Sequence, residues 1–104
     1  NLTGAIRDYN PTHLVVIDAA DLGKKPGSVR IIGESEIGGA SFSTHSLPIP
    51  IILGYLRSTV KAREIVIGIQ PGSLEFDSPV TAPVAAAVAS LADDIIRAVE
   101  TTRA

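Results

Sequence analysis

No cysteine, methionine or tryptophan occurs in these 104 residues. The missing cysteines exclude disulfide scaffolds, thiol nucleophiles and cysteine-ligated zinc together. Their absence suits a cytoplasmic protein, the location expected here. Aromatic residues are nearly as scarce, with Tyr9, Tyr55, Phe42 and Phe76 making up 4% of the chain. That is too few for the stacking platforms that hold single-stranded nucleic acid. A formal net charge of −2 leaves no basic stripe to release counterions from a phosphate backbone, so nucleic acid is not an expected partner. The apolar stretches fall far short of the ~20 residues that span a bilayer, and the opening residues do not read as a signal peptide. Membrane insertion is not expected either. Neither GxGxxG nor GxxxxGK[ST] is present, so nucleotide cofactors lack their usual cradle.

What is present is a lightly charged globular chain, 45% hydrophobic and 19% charged, of a size that suits one domain or part of one. Leu2 to Tyr9 reads as a short helix with Leu2, Ile6 and Tyr9 on one face, capped by Asn1 or Thr3 and stopped by Asn10-Pro11. The run His13-Leu14-Val15-Val16-Ile17 ends abruptly on Asp18 and predicts a strand buried on both faces. Gly23 and Pro26-Gly27 punctuate a turn, where Lys24 and Lys25 read as solvated surface or as contacts to an acidic partner. A short strand follows over Ser28 to Ile32. Periodicity is lost from Gly33 to His45, where Gly38-Gly39-Ala40-Ser41 predicts a mobile segment. A helix begins near Pro48 with Pro50 in its first turn and carries Ile51, Ile52, Tyr55 and Leu56. Glu64 to Ile69 reads as the third strand. The last helix runs from about Thr81 to Thr102 with Val84, Val88, Leu91, Ile95 and Val99 as its apolar stripe. The order is that of an α/β protein, a three-layer αβα sandwich around a mostly parallel or mixed twisted sheet. Three strands are few for two helical layers, and the chain opens inside a capped helix without a methionine. An N-terminal strand and helix are therefore expected to be missing from residues 1–104.

Open α/β sheets place their chemistry beyond the carboxyl ends of their strands. Asp18 stands at such an end, with Asp21 close behind, and either carboxylate also has a plain role in turning the chain. The second group is Thr44-His45-Ser46 before a helix, where an imidazole serves as base, metal ligand or structural hydrogen-bonding residue. Asp18 and His45 make two good ligands for a nickel- or zinc-like ion but not a complete site. Glu34, Glu36, Glu64, Glu75 and Asp77 are open as a third ligand, none preferred. His13 reads as a strand-boundary residue. Ser43 and Ser46 lack the surroundings of a nucleophile elbow. Gly68-Ile69-Gln70-Pro71-Gly72 reads as a strand end and turn, or as a cleft wall where Gln70 hydrogen-bonds an extended peptide.

Taken in order, these segments resemble the hydrogenase maturation endopeptidases, which process the large subunit of nickel-iron hydrogenases. The matching residues are Asn1-Leu2-Thr3 with Ile6, Asn10-Pro11, Leu14 through Gly23, Pro26 through Ile32, Thr44 through Pro48, Gly68 through Pro71, and Thr81 with Pro83. The resemblance covers essentially the whole chain. It implies a single hydrogenase-maturation-protease domain over residues 1–104, N-terminally incomplete and amounting to the C-terminal two thirds of the family domain. It further implies an endopeptidase that removes the C-terminal extension of the nickel-loaded large-subunit precursor, its partner. The nickel is carried by that substrate, with no organic cofactor. The family's metal-contacting set is a glutamate, an aspartate and a histidine. The latter two correspond to Asp18 and His45, while Thr44 and Gln70 fall beside the cleft. The glutamate belongs to an N-terminal segment with no counterpart here, so the 104-residue chain alone is expected to be inactive. The alternatives are another small α/β metallopeptidase, or a module that binds the precursor without cutting it.

Overall fold

The structure, a computed structural model, describes residues 2–33, 36, 49–73, 75 and 79–103. In chain order the elements are α1 (Leu2–Tyr9), β1 (His13–Ala19), β2 (Val29–Ile32), α2 (Ile49–Thr59), β3 (Arg63–Ile69) and α3 (Ala82–Arg103). The glycine-rich stretch expected to be mobile, and Thr44-His45-Ser46, lie outside the described residues.

The sheet is mixed, in the order β1-β3-β2. β1 and β3 run parallel with Asp18 beside Gly68 and Ala19 beside Ile69, and β2 runs antiparallel to β3 with Arg30 beside Gly68. Side chains alternate across a strand, so Leu14, Val16 and Asp18 share one face with Val66, Gly68, Arg30 and Ile32. On that face Ala20, Ile32, Leu53 and Val66 form the core cluster, with Leu14, Val16 and Leu22 packed against it. Leu53 and Leu56 are the deepest side chains of α2. Burying each stabilises the fold by about 2 kcal/mol. Helix α1 packs on α2, and the Arg7 guanidinium reaches the Tyr55 hydroxyl at 3.4 Å.

On the opposite face Ile67 and Ile69 are buried, and α3 turns Val84, Ala87, Leu91 and Ile95 inward. The start of α3 presses on the preceding turn: a Cβ built on Gly27 would stand 2.7 Å from the Pro83 carbonyl oxygen. Gly27 also has φ +90°, so only glycine fits there without strain. Two expectations change on this side of the sheet. β1 is not buried on both faces, because Val15 and Ile17 remain 38% and 45% exposed. The α3 stripe is narrower than the sequence pattern, with Val88 and Val99 each 49% exposed. On this face only Ile67 and Ile69 of the strands are buried, while Ile65 of β3 and Val29 and Ile31 of β2 stay exposed with Val15 and Ile17. Tyr9 likewise lies 83% exposed rather than with Ile6. The chain reverses just after it, where Asn10 adopts φ 55° and its N–H closes α1 on the Ile6 carbonyl at 3.0 Å.

Candidate active site

β1 and β3 are parallel, so their carboxyl ends open at one edge of the sheet. Asp18 stands there, half-buried on the core face and beside Gly68. Its Oδ1 accepts the Ala19 N–H at 2.8 Å, which fixes the carboxylate against its own backbone. The absent side chain at Gly68 has a packing cause: a Cβ there would stand 2.9 Å from the Ala20 Cβ and 3.2 Å from the Ile32 Cδ1. The two candidate carboxylates divide their roles. Asp21 turns the chain, its Oδ1 accepting the Gly23 N–H at 3.1 Å where Gly23 takes φ 66°.

Gln70, just past the end of β3, is 7% exposed. Its Oε1 accepts the Leu22 N–H at 2.5 Å and the Lys24 N–H at 3.5 Å, and its Nε2 donates to the Pro71 carbonyl at 3.4 Å. Its backbone N–H donates to the Ser28 carbonyl, and its carbonyl accepts the Gly27 N–H, each at 2.9 Å. The sequence pattern offered Gln70 as a cleft wall. The structure adds that its carboxamide organises the loop beyond Asp18, a role with no local signal because the partners are 46 and 48 residues away.

The remaining candidates separate. Thr44 and His45 lie outside the described residues, as do Glu34 and Asp77. Glu64 is near the amino end of β3 and pairs with Arg57 at 2.6 Å. Glu36 pairs with Arg30 at 2.8 Å and accepts the Gly33 N–H at 2.9 Å; these two bonds hold its carboxyl below the usual carboxylate range, Arg30 contributing most. His13, exposed at the amino end of β1, shares a 3.0 Å hydrogen bond with Thr12. Among the described residues no group of three or more metal-ligating side chains comes together. A groove of about 410 Å³ between α1 and α2 is lined by Thr3, Gly4, Ala5, Arg7, Asp8 and Tyr55, and not by Asp18.

Comparison with known proteins supplies what this partial geometry does not. A family model described as hydrogenase maturation protease matches residues 1–98. A Methanocaldococcus jannaschii protein named as a hydrogenase maturation protease is 39% identical over 98 residues, covering 94% of this chain and 57% of its own length. The hydrogenase 3 maturation protease of Escherichia coli is 36% identical over 85 residues, covering 81% of this chain and 54% of its own. Among solved structures, the solution structure of the Escherichia coli endopeptidase HycI superposes with a TM-score of 0.72 at 34% identity, covering 86% of this chain and 57% of that one. The crystal structure of a [NiFe] hydrogenase maturation protease from Thermococcus kodakarensis gives 0.69 at 27% identity, covering 89% and 60%. The chain thus spans little more than half the length of the curated relatives it matches. Its mixed sheet and flanking helices are the αβα sandwich of those structures. With a match running through both Asp18 and His45, the chain belongs to the hydrogenase maturation protease family.

Proposed function

We propose that this protein is the processing endopeptidase that removes the C-terminal extension of the nickel-loaded large subunit of nickel-iron hydrogenase, acting in the cytoplasm. The carrying observation is the family match over residues 1–98, which includes an aspartate at the shared carboxyl edge of two parallel strands. Asp18 and His45 contact the nickel brought by the precursor, and Thr44 and the Gln70-held loop flank the extended chain. Carboxylate and imidazole suit such an ion. The metal anchors the precursor and aligns its scissile peptide. Residues 1–104 form part of a single protease domain, whose N-terminal strand and helix cover the open edge of β1 and supply the third, glutamate contact. The coverage of 54% to 57% of the relatives favours a second reading for the 104-residue chain taken alone: it binds the precursor without cutting it.

The test incubates full-length protein with nickel-loaded and nickel-free precursor, and with an unrelated general protease substrate. Mass spectrometry should find the released peptide only with the nickel-loaded precursor. Equal cutting of the nickel-free form, or digestion of the general substrate, would move the protein to the broader class of small α/β metallopeptidases.

A further inference from the structure

The segment between Asp18 and β2 is tied by several backbone hydrogen bonds although much of it is exposed. Lys24 and Lys25 are exposed, yet the backbone beneath them is fixed at several points. The Gln70 carboxamide oxygen takes the Leu22 and Lys24 amides, the Gln70 backbone bonds Gly27 and Ser28, and the Ser28 N–H donates to the Lys25 carbonyl at 3.1 Å. Gly27 is pressed on Pro83, and the exposed Asp21 carboxylate accepts the Gly23 amide, which leaves the two lysines as the cationic part of the loop. Among the described residues neither lysine meets a carboxylate, whereas Arg7, Arg30, Arg57 and Arg97 each do. A buried glutamine thus holds the backbone of a loop that carries two exposed lysines a few residues beyond Asp18. Such order lowers the entropic cost of binding. Like-charged neighbours on a fixed loop complement an anionic partner, and rim charges act mainly on encounter and salt dependence.

We propose that residues 21–27, held by Gln70, form a docking rim on which Lys24 and Lys25 receive an acidic segment of the polypeptide cut at Asp18. Gln70 is a positioning residue here: it acts through the loop and not on the reacting bond. The assignment to a cut polypeptide rests on the proposed function; the preference for an acidic chain does not.

The experiment therefore has two arms. In the first, hexaglutamate and hexalysine are titrated at low salt against the isotope-labelled protein while backbone amides are followed by NMR. Hexaglutamate should shift the amides of residues 21–27, and hexalysine should not. Lys24→Gln with Lys25→Gln should weaken hexaglutamate binding about tenfold, the scale of two rim charges, and flatten its salt dependence. Gln70→Leu should weaken it with both lysines in place, and any loss of fold in that variant leaves the lysine pair as the deciding comparison. Equal shifts around Lys61 and Arg63, or unchanged affinity in the double variant, would overturn the rim. The second arm measures precursor cleavage by full-length protein. The double variant should raise KM about tenfold at low salt and leave kcat unchanged. A fall in kcat at constant KM would overturn the docking role. Acidic binding at the rim without any precursor cleavage would instead remove the proposed function and leave the rim standing.

Discussion

Gly54 and Gly68 carry opposite expectations, although both are glycines within regular elements. A Cβ at Gly54 on α2 would meet nothing within 4 Å, so Gly54→Ala should stabilise by about 0.5–1 kcal/mol through the unfolded chain's lost freedom. At Gly68 the new methyl strikes the fixed Cβ of Ala20, and Gly68→Ala should destabilise by about 1–3 kcal/mol. Denaturant unfolding of the two variants reads both signs. Equal effects would show that the packing over Gly68 is looser than described. The Arg30–Glu36 pair yields a pH expectation. The folded pKa of Glu36 is lowered, so its contribution is present above the unfolded carboxyl value and disappears as pH falls through the folded one. The pair is largely exposed, and the effect on stability is correspondingly small. An NMR titration should show Glu36 moving up toward the ordinary range in Arg30→Gln, while the Gly33 amide keeps part of the shift. At this scale Asp18 was legible, because an apolar run that stops on a carboxylate marks a strand end. The division between Asp18 and Asp21 was not, since nothing local distinguishes a turn-forming carboxylate from one at the sheet edge.

The elements themselves were largely written in the sequence. α1 falls where the helical pattern placed it, and β1, β3 and α3 agree with their expected bounds to within a residue or two. Pro50 sits in the first turn of α2, where the missing amide hydrogen matters least. What periodicity did not convey was how completely each face is covered. The run of apolar residues in β1 is compatible with one or two buried faces, and only the folded chain shows that Val15 and Ile17 remain partly bare. The core face is the part that truncation should damage. Leu53→Ala or Leu56→Ala should each cost about 2–5 kcal/mol, whereas Ile51→Ala on the exposed side of α2 should cost much less. A shift in the thermal midpoint of similar size for all three would contradict the placement of α2 on the sheet.

Across the whole molecule, apolar surface is unevenly distributed. Val15, Ile17, Val29, Ile31 and Ile65 lie exposed on one sheet face, and among the described residues no strand pairs with the outer edge of β1. Bare edges and contiguous apolar faces invite pairing. Sedimentation of the 104-residue chain should show self-association that grows with concentration, and Ile31→Thr should shift it toward monomer while keeping a β-branched side chain. A monomer at every concentration would mean that this face needs no cover. No helix among the described residues is long and apolar enough to cross a membrane. The catalytic reading meets its most direct test at Asp18, in the full-length protein. Asn at this position keeps the shape and an oxygen for the Ala19 amide but removes the charge. Release of the C-terminal peptide from nickel-loaded precursor should fall by about 100-fold or more in Asp18→Asn, the scale of a group acting at the reacting centre, with the unfolding midpoint unchanged. Undiminished release by that variant would contradict the site.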